Sequence, residues 1–135
     1  MTDSANVKVL FVGESPRAFA LSQQRLENSG CRCHFASSER EVANLMLRER
    51  FDVVLGIQNH IGNTRRFSAL LSGSRASLYC ALPLEEGCLW LPIVRHGKTC
   101  FGSPALRPAE FATELDEIVE EIRLSAATLR AVAAA

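Results

Sequence analysis

Two thiols and an imidazole stand close together at Cys31, Cys33 and His34. Thiolates and imidazoles are the ligands that zinc prefers, and a cysteine paired with a histidine can also act as a nucleophile. In a β-strand, however, side chains two residues apart share a face and direct neighbours face opposite ways. His34 therefore cannot share one ion with both cysteines. We interpret the cysteines as small buried side chains, expect no metal or other cofactor, and keep a thiol-dependent enzyme or metal protein as the least favoured alternative.

The remaining cysteines, Cys80, Cys88 and Cys100, show no ligand spacing. They would approach one another only if a hairpin folded back onto the strand before it. Five cysteines are an odd number without a repeated spacing, which makes a poor disulfide framework. We therefore expect free thiols, as in a protein of the cytoplasm.

Polar side chains also follow two apolar runs of the chain. Glu14 and Ser15 come after the first run, and Gln58, Asn59 and His60 come after a later one. If both runs are parallel strands, these side chains line the carboxyl edge of one sheet, where open α/β folds bind ligands. Binding of a small polar ligand at this edge is the main alternative function that the residues suggest.

The elements that must position these side chains alternate between short apolar strands and helices. Strands are predicted at residues 7–12, 31–36, 51–57 and 77–82. Helices are predicted at residues 16–29, 38–50 and 64–71, and from Pro108 to the end. Pro16 suits a first helical turn, Gly30 suits a left-handed helix end, and Ser38 with Glu41 forms a capping box. Strands joined through helices in this way favour a parallel sheet.

The segment before the last helix predicts a different structure. Pro92 and Gly97 interrupt any helix there, and apolar runs flank both sides of Arg95-His96-Gly97. The simplest interpretation is a β-hairpin with arms at residues 89–94 and 98–101 that turns at His96-Gly97. Pro92 lacks an N–H group and would place the first arm at a sheet edge.

Composition limits the broad class of the protein. The 135 residues are 47% hydrophobic, and 15 basic residues balance 15 acidic ones. We expect a disordered N-terminus at residues 1–6 and a single domain at residues 7–135 that ends in a long helix. The neutral balance argues against a nucleic-acid partner. The lack of an export signal or of about 20 consecutive apolar residues argues for a soluble cytoplasmic protein with no membrane partner.

The order of elements resembles the receiver domains of two-component response regulators. The resemblance lies in residues 9–16, which look like the first receiver strand and its acidic loop, in residues 29–38 and 51–55, and in Arg107-Pro108 before the last helix. It covers about residues 7–123. It implies an α/β fold of the flavodoxin-like kind, with an open parallel sheet in three layers and a β-hairpin in place of the fourth helix.

Phosphoryl transfer in receivers needs a pair of acids for magnesium, an aspartate nucleophile and a lysine. By the resemblance these positions fall at Gly13 and Glu14, at Ile57, and at Pro104. Only one carboxylate remains, and isoleucine and proline can do none of this chemistry. The resemblance therefore implies a phosphorylation-incompetent pseudo-receiver that is not an enzyme and acts as a regulatory or protein–protein interaction module in signal transduction.

The hairpin carries more large apolar side chains than a short solvated hairpin needs. They are Leu89, Trp90, Leu91, Ile93, Val94 and Phe101. These side chains either pack only into the core or also contribute to an interface, because exposed apolar patches mark interaction surfaces. Receivers commonly pair through this region, so we expect a homodimer in which the hairpin and the last helix take part.

Overall fold

A computed structural model describes residues 7–13, 16–57, 75–84, 88–100 and 102–134. Its strands are β1 (Lys8–Val12), β2 (Arg32–Ala36), β3 (Val53–Ile57), β4 (Ser77–Pro83), β5 (Cys88–Arg95) and β6 (Lys98–Thr99). Its helices are α1 (Pro16–Asn28), α2 (Glu39–Arg48) and α3 (Pro108–Ala134). These positions confirm the strands and the helices predicted for this part of the chain. The disordered N-terminus predicted at residues 1–6 and the helix predicted at 64–71 lie outside the described residues.

The strands form one sheet in the order β2-β1-β3-β4-β5-β6. The first four are parallel, as their apolar sequences and helical crossovers predict. Ser38 begins α2 by accepting a hydrogen bond from the Glu41 N–H at 3.2 Å. Gly30, with φ of 85°, ends the turn after α1.

The sheet is parallel only in part, because its last two strands, β5 and β6, are antiparallel. β5 runs antiparallel to β4, and Pro83 lies opposite Cys88. Only four residues separate these two strands, which is too few for the crossover that a parallel pair requires. β6 is antiparallel to β5 across His96-Gly97, where φ values of 51° and 81° match a two-residue hairpin turn.

Pro92 occupies an inner strand rather than the edge strand that its type predicts. Trp90, two residues earlier, exchanges backbone hydrogen bonds with Leu106 on the outer side of β5. The nitrogen of Pro92 therefore points to the same outer side, where the short β6 has already ended. Between Leu78 and Tyr79 the pairing with β5 shifts register, so that Ile93 is the extra residue of a bulge.

Two apolar clusters lie on alternate side-chain positions of the sheet. The first joins side chains of β1, β3, β4 and β5 to Leu26 of α1 and to the α3 residues Phe111, Leu115, Ile118 and Val119. The second joins the other side chains of these strands to α2 residues Val42, Leu45 and Met46. The two clusters therefore bury both sets of strand residues, which accounts for strands that are apolar at most positions.

α3 is the longest helix, with 27 residues. In the part of the chain that the structure describes, neither it nor any other helix is long and apolar enough to cross a membrane.

Candidate functional site

The carboxyl ends of β1 and β3 meet at one edge, as the sequence predicts. Val12 lies beside Gly56 in the parallel register, so Gly13 and Ile57 follow as neighbours. Gly13 has φ of 133° and donates its N–H to the Ala36 carbonyl at 2.9 Å. These positions offer backbone and an aliphatic residue, and no carboxylate. The predicted ligand residues Glu14, Ser15, Gln58, Asn59 and His60 lie outside the described residues.

Both described aspartates lie away from this edge. Asp52 precedes β3 at its amino end, where Oδ2 accepts the Lys8 N–H at 2.9 Å. Burial raises the pKa of Asp52, while that hydrogen bond opposes the shift. Asp116 is on α3 and holds Arg25 of α1 through bonds of 3.0 and 2.5 Å. Each carboxylate therefore has a structural partner far from the end of β3.

Pro104, the position that the resemblance matches to the receiver lysine, is exposed in the segment between β6 and α3. Leu106 of the same segment exchanges backbone hydrogen bonds with Trp90, so β5 lies between this segment and β4. The antiparallel strand β5 thus separates Pro104 from the parallel strands.

The cysteines do not form one group. Cys31 and Cys33 pack with the first apolar cluster, while the His34 ring lies 5.3 Å from Phe51 of the second, so the predicted opposite orientation is confirmed. Cys80 belongs to the second cluster and Cys88 packs on the first, which keeps these two apart as well. Within the described ranges, no three potential metal-ligating side chains are grouped to hold an ion.

The thiols are also poorly activated. Burial raises the pKa of Cys33 to about 11, with Glu27 and Cys31 adding to the shift. Burial alone raises the pKa of Cys80 to about 11. Reactive cysteines need a lowered pKa, because the thiolate is the nucleophile. Burial therefore leaves the thiols of Cys33 and Cys80 without that activation.

The apolar hairpin residues divide into two groups. Trp90 is 2% exposed and stacks on Phe111 of α3 with ring centroids 4.1 Å apart, and Val94 is 1% exposed. These two side chains are buried by the chain itself and offer no surface to a partner. The others that the structure describes, Leu89, Leu91 and Ile93, are half-buried, and Phe101 lies outside the described residues. For these half-buried side chains, a role in an interface with a partner stays a prediction.

A polar cluster that sequence reasoning missed joins the hairpin to α3. Arg95 donates two hydrogen bonds to the Glu114 carboxylate, from Nη2 to Oε1 at 2.9 Å and from Nε to Oε2 at 3.1 Å. The Tyr79 hydroxyl donates to the same Oε2. Burial, reinforced by Glu114, raises the pKa of Tyr79 above its ordinary range. Both carboxylate oxygens are occupied, so the cluster is built to hold β4, β5 and α3 together.

A second contact lies beside this cluster. His96 Nε2 is 3.1 Å from Glu121 Oε2, and the His96 N–H donates to the buried Ser77 hydroxyl at 3.0 Å. The side chains of Arg95, Glu114, Glu117 and Glu121 help to line a cleft of about 190 Å³ between the turn and α3. The turn residue His96 is thus tied to both the sheet and the helix.

Two features of the sequence could have indicated this cluster. Tyr79 is the only tyrosine and sits within an apolar strand, where its hydroxyl needs a partner. Glu114 lies between Phe111 and Leu115 in the last helix, next to its apolar face. No local sequence pattern predicts that Tyr79 and Glu114 are in contact, because they are 35 positions apart.

No family model, curated protein or solved structure matches this chain.

Proposed function

We propose that this chain is a receiver-like protein-interaction module that is not an enzyme and does not accept a phosphoryl group. The observation that carries the proposal is the position of Asp52 and Asp116. Asp52 accepts the backbone N–H of Lys8 in β1, and Asp116 binds Arg25 on a helix surface. A receiver's nucleophile must stand where β3 ends, and this chain has Gly56-Ile57 there.

The proposed architecture is flavodoxin-like and three-layered, with α1 and α3 on one face of the sheet and α2 on the other. The composition of the two apolar clusters supports this arrangement. In this proposal the hairpin of β5 and β6 stands in place of a receiver's fourth helix. The polar cluster of Tyr79, Arg95 and Glu114 then keeps the substituted segment against α3.

The proposed activity is binding to protein, with self-association as its simplest form. The half-buried side chains Leu89, Leu91 and Ile93 support a role for the hairpin, because partly exposed apolar groups favour contact surfaces. The proposed partners are another copy of the chain or an unidentified signalling protein.

The test is incubation with acetyl phosphate and magnesium, followed by intact-mass spectrometry. We expect no phosphoryl adduct, because no aspartate stands at the end of β3. An adduct that disappears in Asp52→Asn or Asp116→Asn would overturn the proposal and identify the acceptor. Asp52→Asn and Asp116→Asn are also measured without acetyl phosphate, which controls for an effect of the substitutions on folding.

A thermal-shift panel of nucleotides and small polar metabolites tests the alternative. A ligand that binds the folded state raises the melting temperature, and above the Kd the shift grows with the logarithm of the ligand concentration. We expect no such dependence. A stabilisation that increases with ligand concentration in this way would instead favour a flavodoxin-like small-ligand binder at the carboxyl edge of the sheet.

A further inference from the structure

The two edges of the sheet differ in how well they are protected against pairing. β6 has two residues, carries the exposed Lys98, and is followed by Leu106, which bonds to β5. Short length and lysine are usual protections of an edge strand. β2 has five residues in regular pairing with β1, and in the described residues it bonds on that side only.

The backbone groups at the free side of β2 belong to Cys33 and Phe35. The Arg32 N–H donates to the Val7 carbonyl at 2.8 Å, and the Ala36 carbonyl accepts the Gly13 N–H at 2.9 Å. Even-numbered residues of β2 thus turn their backbone groups toward β1. Because these groups alternate along a strand, Cys33 and Phe35 turn theirs away from the sheet.

We infer that β2 pairs with β2 of a second copy of this chain, antiparallel and about a two-fold axis at His34. In this register Cys33 lies opposite the partner's Phe35, and the reverse pair follows by symmetry. Those are the residues whose backbone groups are turned outward, so reciprocal hydrogen bonds form without breaking any bond to β1. This inference rests on the proposed interaction module and places its self-association at β2 rather than at the hairpin.

Side chains along this edge support a second copy as the occupant. In the antiparallel register, the exposed Arg32 lies opposite the partner's Ala36. Ser37 follows Ala36 and holds the exposed Glu41 carboxylate through its N–H at 3.2 Å and its hydroxyl at 3.0 Å. Each Arg32 therefore comes beside an acid held on the other copy, and the two-fold axis repeats this opposite-charge contact.

Phe35 adds apolar surface at the same place. One side of its ring stacks on Phe11, with centroids 5.2 Å apart, yet 51% of the residue is exposed. Pairing of the two edges would place Cys33 of the second copy beside it, on the same face of the joined sheet.

The experiment is sedimentation equilibrium of the full chain and of Phe35→Pro, with Phe35→Ala as its matched control. Proline removes the outward N–H group and no bond to β1, whereas alanine removes the ring and keeps the N–H. We expect a dimer for the unmodified chain and a dimer Kd at least about tenfold weaker for Phe35→Pro than for Phe35→Ala. Circular dichroism checks that both variants keep their fold.

Charge reversal provides an independent arm of the test. Arg32→Glu places an acid beside the partner's Glu41 and should weaken the dimer Kd by about fivefold or more. Lys98→Glu, on the opposite edge, should leave it unchanged. If Phe35→Pro fails to fold, this pair of variants decides the outcome.

Three results would overturn the inference in distinguishable ways. A chain that stays monomeric at all concentrations would exclude self-association altogether. A dimer that Leu91→Glu breaks, and that Phe35→Pro and Arg32→Glu leave intact, places the interface at the hairpin and leaves the proposed module standing. A phosphoryl adduct on aspartate would remove the proposed function whatever the oligomeric state.

Discussion

The four parallel strands and the hairpin beyond them are stabilised in different ways. In β1, the residues Val9, Leu10, Phe11 and Val12 are all fully buried, because apolar clusters cover both faces. In β5, buried and half-buried residues alternate, and Arg95 at its end needs Glu114 as a partner. A strand covered on both faces needs only apolar side chains, whereas a strand beside solvent depends on particular contacts.

The difference has a consequence for function. The parallel strands tolerate exchange among apolar residues of similar volume. The hairpin is held in the sheet by the pairing of β5 with β4, and one aromatic stack and one carboxylate of α3 add to that pairing. A change at either α3 group should therefore affect the stability of the hairpin, which carries the half-buried side chains of the proposed interface.

The largest expected effect comes from breaking the aromatic stack. Trp90→Ala removes a buried ring from between the sheet and Phe111 and should lower the free energy of unfolding by about 3–5 kcal/mol. Urea denaturation followed by circular dichroism measures the change. Leu47→Ala, at a side chain that is 85% exposed, is the control and should change stability little. A loss below about 1 kcal/mol for Trp90→Ala would mean that the hairpin folds independently of α3.

A smaller effect is expected from the polar cluster. Glu114→Ala leaves the Tyr79 hydroxyl and the Arg95 guanidinium without their acceptor and should cost about 2 kcal/mol. Glu117→Ala, at an exposed position on the same helix, serves as the matched control. Urea unfolding of Tyr79→Phe and of the double variant completes a thermodynamic cycle. Additive losses would show that Tyr79 and Glu114 are not coupled.

The smallest effect appears only at alkaline pH. The pKa of Tyr79 is raised above its ordinary value of 10.0 by burial and by Glu114. A phenol with a raised folded-state pKa contributes stability below pH 10, and this contribution is lost as the pH rises above that value. Because Tyr79 is the only tyrosine, absorbance of its phenolate follows this one group. We expect ionisation to coincide with unfolding, and a titration near pH 10 in the folded chain would contradict the buried contact.

Most element boundaries follow from short stretches of sequence. Local signals act over a few residues, as at the Ser38 cap, the Gly30 turn and the apolar run of β1. Each can therefore be predicted without the rest of the chain. The same holds for the turn at His96-Gly97. The absence of an aspartate from Gly56-Ile57 at the end of β3 is also a matter of sequence alone.

The direction of β5 is set by its short connection to β4 rather than by the residues of β5 itself. Its apolar run fits a parallel or an antiparallel strand equally well. The short connection after Pro83 excludes a crossover and so decides the pairing with β4. Pro92 could then lie inside the sheet, because its nitrogen faces the outer side beyond the end of β6.

Sequence by itself determined, to within a few residues, where the described helices and strands begin and end, and that the end of β3 carries no aspartate. Caps, turns and apolar runs act locally, and residue types at a position need no partner to be known. Tertiary structure alone decided that Trp90 is buried against Phe111 and that Tyr79 shares Glu114 with Arg95. These contacts join residues 19 to 35 positions apart, and such distant groups meet only when the sheet and α3 pack together.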